Sequence, residues 1–188
     1  MLFAQSTNVE GSKYQFKKIV HLDATPVQSQ GQTGTCWSFS ATSFFESEIQ
    51  RLGAKTPIIL SEMYVVRKAY ELKAEKYIRM DGKINFGEGG AFHDAPLVIS
   101  KFGIVPFEAY TGLNGTDNYN HGEMFSQLNA VMNDIIARLG SPEGITDDWK
   151  RKYNSVLDLG LGKDVTSFEY DGKKYTPNSF AASLGLDM

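Results

Sequence analysis

The chain has 188 residues and a single cysteine, Cys36. A lone cysteine is most often an inert, small apolar residue of a core, so its neighbours must argue for anything more. A cysteine attacks as its thiolate and needs surroundings that favour the anion. The start of a helix supplies them, through unpaired N–H groups and the positive end of the dipole. Cys36 stands where a loop rich in Gln, Gly and Thr (27–35) gives way to a long apolar-periodic run. Acyl transfer also needs hydrogen-bond donors aimed at the oxyanion that forms during attack. The Cys36 backbone N–H is one candidate. A side-chain amide would be a second, and Gln28, Gln30 and Gln32 all precede the cysteine; composition alone does not choose among them. Further on, Gly87-Glu88-Gly89-Gly90 is either a plain turn or a place where another backbone can approach closely. A nucleophile of this kind pairs with a base. The chain offers His21, His93 and His121, and His93 is the nearest of them in sequence to the glycines.

The elements that would position these residues follow from periodicity. Trp37, Ala41, Phe44, Phe45, Ile49 and Leu52 recur at helical spacing, with Arg51 in the last turn and Gly53 placed to end the helix. Leu60-Ser61-Glu62 reads as the next helix start, with Ser61 as cap and Glu62 at the positive end, running to about Tyr77. Residues 81–90 read as loop. Ala91 to Phe102 reads as helix, stopped by Gly103, and 112–122 as a polar loop. Met124–Leu139 and Trp149–Leu159 carry further helical patterns. Thr166-x-Phe168-x-Tyr170, then Asp171-Gly172, then Lys174-Tyr175 reads as a hairpin. Upstream, 1–25 is a largely polar lead-in with a short strand at Phe16–Leu22.

Composition bounds the rest. Hydrophobic residues make up 41%, enough for one domain to bury a core without disulfides. A net charge of -3 gives no electrostatic case for a nucleic-acid partner. No apolar run is long enough to span a bilayer, so no membrane partner is expected. Met1-Leu2-Phe3-Ala4-Gln5 reads equally as the tail of a secretory leader, without its basic front, or as an ordinary terminus.

The segment Pro26-Val27-Gln28-Ser29-Gln30-Gly31-Gln32-Thr33-Gly34-Thr35-Cys36-Trp37-Ser38-Phe39 closely resembles the nucleophile region of papain-like cysteine peptidases. By that resemblance Cys36 is the nucleophile, and Gln30, six residues earlier, is the oxyanion donor. Trp37 is the tryptophan that follows the nucleophile, on the substrate-binding side. Leu60-Ser61-Glu62 resembles the family's helix start. Gly87-Glu88-Gly89-Gly90 with Ala95 resembles its substrate strip, in which Gly89 and above all Gly90 pair with the peptide backbone. Phe102-Gly103-Ile104-Val105-Pro106 and Tyr110 resemble the segment that follows. The likeness is firm over about 22–110 and modest beyond.

Many secreted relatives hold two mutually bonded cysteines at the positions of Thr33 and Gly87. Their joint absence resembles the bleomycin hydrolase and aminopeptidase C group. Leu159-Gly160-Leu161-Gly162 and Tyr175-Thr176-Pro177 look like that group's insert. The resemblance implies an α+β, papain-like fold: a mainly helical nucleophile-side half at 26–112, then a helical insertion with a short hairpin at 113–188. It implies peptide substrates, no cofactor, no metal and a homo-oligomer, hexameric in the group. It implies the cytoplasm by subfamily, or export if 1–5 is a leader remnant. The family's histidine and asparagine belong to a β-rich second half, and none of His21, His93 and His121 has the expected position. The chain is therefore expected to be an N-terminal portion with little turnover alone. The alternative expectation is a peptide-binding module without catalysis.

Overall fold

The computed structural model describes residues 10–186, apart from 18, 21, 55 and 140–147. Six helices and one small hairpin follow in order: α1 (Cys36–Arg51), α2 (Glu62–Arg79), α3 (Asp94–Phe102), α4 (Gly122–Ala137), α5 (Asp148–Leu161), β1 (Phe168–Tyr170), β2 (Lys173–Tyr175) and α6 (Pro177–Ser183). A single 3-10 turn spans Phe107–Ala109. The fold class expected from the sequence is the one observed.

Helix α2 is the centre. It packs against α1, α3, α4 and α5, and its residues 62–70 are all buried. Such a helix has few polar positions to spare, and the sequence supplies them with partners. Ser61 caps it, its hydroxyl accepting from Tyr64 N–H at 3.0 Å. Arg67, 2% exposed, donates to Asp158 at 2.7 Å and to the Gly162 carbonyl at 2.7 Å. Lys68 reaches Asp164 at 2.6 Å. Those bonds fasten the end of α5 to α2, because a buried cation without such partners would be strongly destabilising.

Besides shifts of one or two residues at the ends of α2, α4 and α5, three features depart from the sequence reading. Helix α3 begins at Asp94, not Ala91, because the Asp94 carboxylate folds back to accept the Ala91 N–H at 2.8 Å and makes 91–93 a turn. The short strand expected at Phe16–Leu22 is not formed among the described residues. Phe16, Ile19, Val20 and Leu22 are exposed, and residues 18 and 21 of that stretch lie outside the described residues. Helix α6 was not anticipated. Thr176 caps it with a reciprocal Ser179 bond and Pro177 occupies its first turn. Phe180 anchors it among the rings of Phe168, Tyr170 and Tyr175 at 5.3–5.4 Å. The hairpin pairs Phe168 with Tyr175 and Tyr170 with Lys173 across Asp171-Gly172, both at positive φ as such a turn requires.

Candidate active site

Cys36 is the first residue of α1 and is exposed. That removes the reading of an inert core thiol. No acidic residue of the helix itself occupies the first turn of α1, where a negative charge is favoured. The helix is held rigidly behind the thiol. It buries Trp37, Ala41, Phe45 and Ile49 against α2 and α3, and Ser38 Oγ donates to the Glu62 carbonyl at 2.8 Å.

The loop before the cysteine is closed on itself and clamped from two sides. Gln30 Nε2 donates to the Thr33 carbonyl at 2.5 Å, while Thr33 Oγ1 donates to the Gln30 carbonyl at 2.9 Å. An amide NH2 has a second hydrogen, so this contact leaves one donor of Gln30 for another acceptor. Gln28 turns back to the Pro26 carbonyl at 3.4 Å, and Gln32 Oε1 accepts from Asn120 Nδ2 at 3.1 Å. On one flank the Gln32 N–H bonds the Tyr119 carbonyl at 2.9 Å. Gly31, at φ +58°, lies so close to Tyr119 that a Cβ would stand 2.5 Å from its carbonyl oxygen. On the other flank the Gly34 N–H donates to Glu88 Oε2 at 2.7 Å.

The glycine strip lies on the far side of Trp37. The indole Nε1 donates to the Glu88 carbonyl at 3.1 Å. A Cβ on Gly90 would meet the indole at 2.7 Å and Asp94 Oδ2 at 2.8 Å, whereas one on Gly89 would point into open space. Close approach therefore requires glycine at 90 from the inside, and the outer face of both residues is exposed. Lys73 Nζ gathers the strip, donating to the carbonyls of Gly87 (3.2 Å), Glu88 (3.4 Å) and Gly89 (2.6 Å). Burial pulls the Lys73 ammonium below its ordinary range, and Asp94 and Glu88 pull it back. A cavity of about 340 Å³ beside the strip is lined by Lys73, Lys76, Gly89, His93, Asp94 and Leu97 among others.

Among the described residues neither His93 nor His121 is bonded to Cys36. His93 is exposed, with Nε2 3.7 Å from Asp94. His121 is buried behind the loop, at the N-cap of α4, with Nδ1 3.9 Å from Glu88 Oε2. Burial lowers its pKa from the ordinary value and the Glu88 charge opposes that. His21 and the segment Met1–Gln5 lie outside the described residues. No group of three or more His, Cys, Asp or Glu side chains suited to a metal occurs among the described residues.

The sequence does not single out Lys73; Glu88 enters only as part of the glycine motif, and His121 only as one of three histidines without the expected position. Little in the local sequence marks the first two, because their contacts join segments 14–54 residues apart. The one available signal was that Glu88 interrupts a run of glycines.

The family model of papain family cysteine proteases matches residues 13–124, more than half the chain. The chain belongs to that family. Among curated relatives, the senescence-specific cysteine proteases SAG39 of Oryza sativa subsp. indica and subsp. japonica are each 25% identical over 164 residues, which is 87% of this chain and 43% of the relative. Among solved structures, PepW from Lactobacillus rhamnosis HN001 superposes with a TM-score of 0.66 at 19% identity, over 90% of this chain and 46% of that one. The fold is thus that of the family, and the chain spans less than half the length of the relatives it matches.

Proposed function

We propose that this chain carries the nucleophile side of a thiol peptidase of the aminopeptidase C and bleomycin hydrolase type. The observation that carries the reading is an exposed Cys36 at the start of α1, across Trp37 from a glycine strip whose outer face is open. The Cys36 thiolate attacks a peptide carbonyl carbon. The C–S bond forms and the carbonyl oxygen becomes an oxyanion, held by the Cys36 N–H and the free donor of Gln30. Collapse breaks the C–N bond, and the amine leaves with a proton from the base. Water then hydrolyses the thioester and restores the thiol. Gly89 and Gly90 lay the substrate backbone beside the sulfur, with Trp37 beneath.

The base is a histidine from outside these 188 residues, oriented by an asparagine as in the family. The chain alone has little turnover, and the whole protein is a homo-oligomer, as the likeness to that group implies. A peptide-binding role without cleavage is the second reading. It is favoured by one observation: neither described histidine is bonded to Cys36. Both readings meet in one assay, in which free-amino and N-blocked fluorogenic peptides are offered to this chain and to a form extended by its native downstream sequence. Turnover only in the extended form, abolished by Cys36→Ser, supports the peptidase. Peptide binding with no cleavage in either form overturns it.

A further inference from the structure

We propose that Glu88 and His121 form a non-covalent staple that sets the nucleophile loop on the glycine strip, with both acting as positioning residues. The proposal rests on the thiol-peptidase reading for its purpose, though not for its geometry. Glu88 touches both halves of the site through different atoms. Its carboxylate accepts the Gly34 N–H at 2.7 Å, two residues before the thiol, and its carbonyl accepts Trp37 Nε1 at 3.1 Å, one residue after it. The fit is tight, since a Cβ on Gly34 would stand 2.9 Å from Glu88 Cβ. Glu88 therefore ties the backbone just before Cys36 and the indole just after it to the strip to which it belongs.

His121 stands behind this contact and is otherwise unexplained. It is 2% exposed, and neither ring nitrogen has a hydrogen-bond partner among the described residues. A buried polar group in that condition is destabilising unless something claims it. The nearest charge is Glu88 Oε2, 3.9 Å from Nδ1, the same oxygen that holds Gly34. Tyr70 packs against the imidazole in a T-shaped pair at 6.3 Å, with its own hydroxyl buried and unpartnered among the described residues. Lys73, the remaining charge nearby, is committed to the strip carbonyls and lies over the Tyr70 ring at 5.4 Å. The imidazole backs the carboxylate from the protein side, so Oε2 stays turned toward Gly34. Backbone contacts on the same segment reinforce the arrangement, as the His121 N–H reaches the Gln32 carbonyl at 3.4 Å.

The staple is read out by amide hydrogen exchange of Gly34, measured by NMR against Val66 in the core of α2. Turnover does not enter this readout, so failure of the peptidase reading and failure of the staple are separate results. Glu88→Ala raises Gly34 exchange by about tenfold or more while Val66 stays within about twofold. Glu88→Gln, which keeps an acceptor oxygen, largely restores protection. His121→Phe raises Gly34 exchange by about threefold or more, and adds nothing in the Glu88→Ala background because the two act through one bond. Should Glu88→Ala not fold, Glu88→Asp, which withdraws the carboxylate by one methylene, carries the same test. Gly34 and Val66 rising together, or independent effects of Glu88→Ala and His121→Phe, overturns the proposal.

Discussion

Glu62 opens α2 directly beneath the nucleophile helix, with its side chain in the core at 3% exposure. Nearby Glu46 is also buried, but it is served by the Thr25 hydroxyl and by the Leu60 N–H at 2.8 Å. Glu62 has only its own backbone N–H to oppose desolvation, and the Glu46 charge adds to the penalty. Its pKa is pushed from 4.5 up to about 7. Each unit is worth 1.36 kcal/mol, so the rise corresponds to about 3 kcal/mol of penalty on the ionised form. The sign follows from proton counting. Between pH 4.5 and about 7 the folded chain holds a proton that the unfolded chain has released, so stability falls as pH rises through that window and is flat, for this group, above and below it. Glu62→Gln removes the titration. Urea unfolding at half-unit pH steps should show the variant more stable than its parent by up to about 3 kcal/mol at pH 8, with the gap closing toward pH 4.5. Parallel pH profiles for the two proteins would refute the assignment of a strained, buried carboxyl to Glu62.

Two further outcomes bear on the site itself. Gly90→Ala places a methyl within 2.7 Å of the Trp37 indole, and overpacking of that kind costs about 1–3 kcal/mol; urea unfolding should show the loss, accompanied by a shift in tryptophan emission, whereas Gly89→Ala, facing open space, should show neither. Lys73→Met keeps the stem and deletes the donor to three carbonyls, so stability should drop by about 1–3 kcal/mol, with faster amide exchange centred on 87–91. Unchanged exchange there would show that the strip holds its shape without Lys73.

The local parts of this site were legible in the sequence, and the long-range parts were not. Helices α1 and α2 could be read because their apolar period, caps and stops all lie within one stretch of chain, and the structure places them at Cys36–Arg51 and Glu62–Arg79. Helix α6 was equally written in Thr176-Pro177 and Ser179, but a seven-residue helix offers too little periodicity to stand out. No strand forms among the described residues of Phe16–Leu22, since a short apolar stretch does not by itself supply a neighbour to pair with. At the site, the joint absence of cysteines at 33 and 87 resembles one subgroup of the family, but it does not say what joins loop to strip in their place. The join is made one residue beyond each, between Gly34 and Glu88, and nothing in either local sequence says so. His121 sits in a segment that reads as polar loop, yet it is buried because Tyr119–His121 runs beside Gln32 and delivers the ring against Tyr70.

The central claim is that Cys36 and the glycine strip already form one peptide-accepting surface in this chain. The most direct test compares alkylation of Cys36 by a peptidyl chloromethyl ketone with alkylation by iodoacetamide, in the folded chain and again in concentrated urea. With one cysteine present, intact mass counts the adduct, and its loss in Cys36→Ser assigns it to the thiol. The folded chain should favour the peptidyl reagent by about tenfold or more over the unfolded ratio, a difference of about 1.4 kcal/mol of peptide recognition. The same ratio in both states would contradict the account.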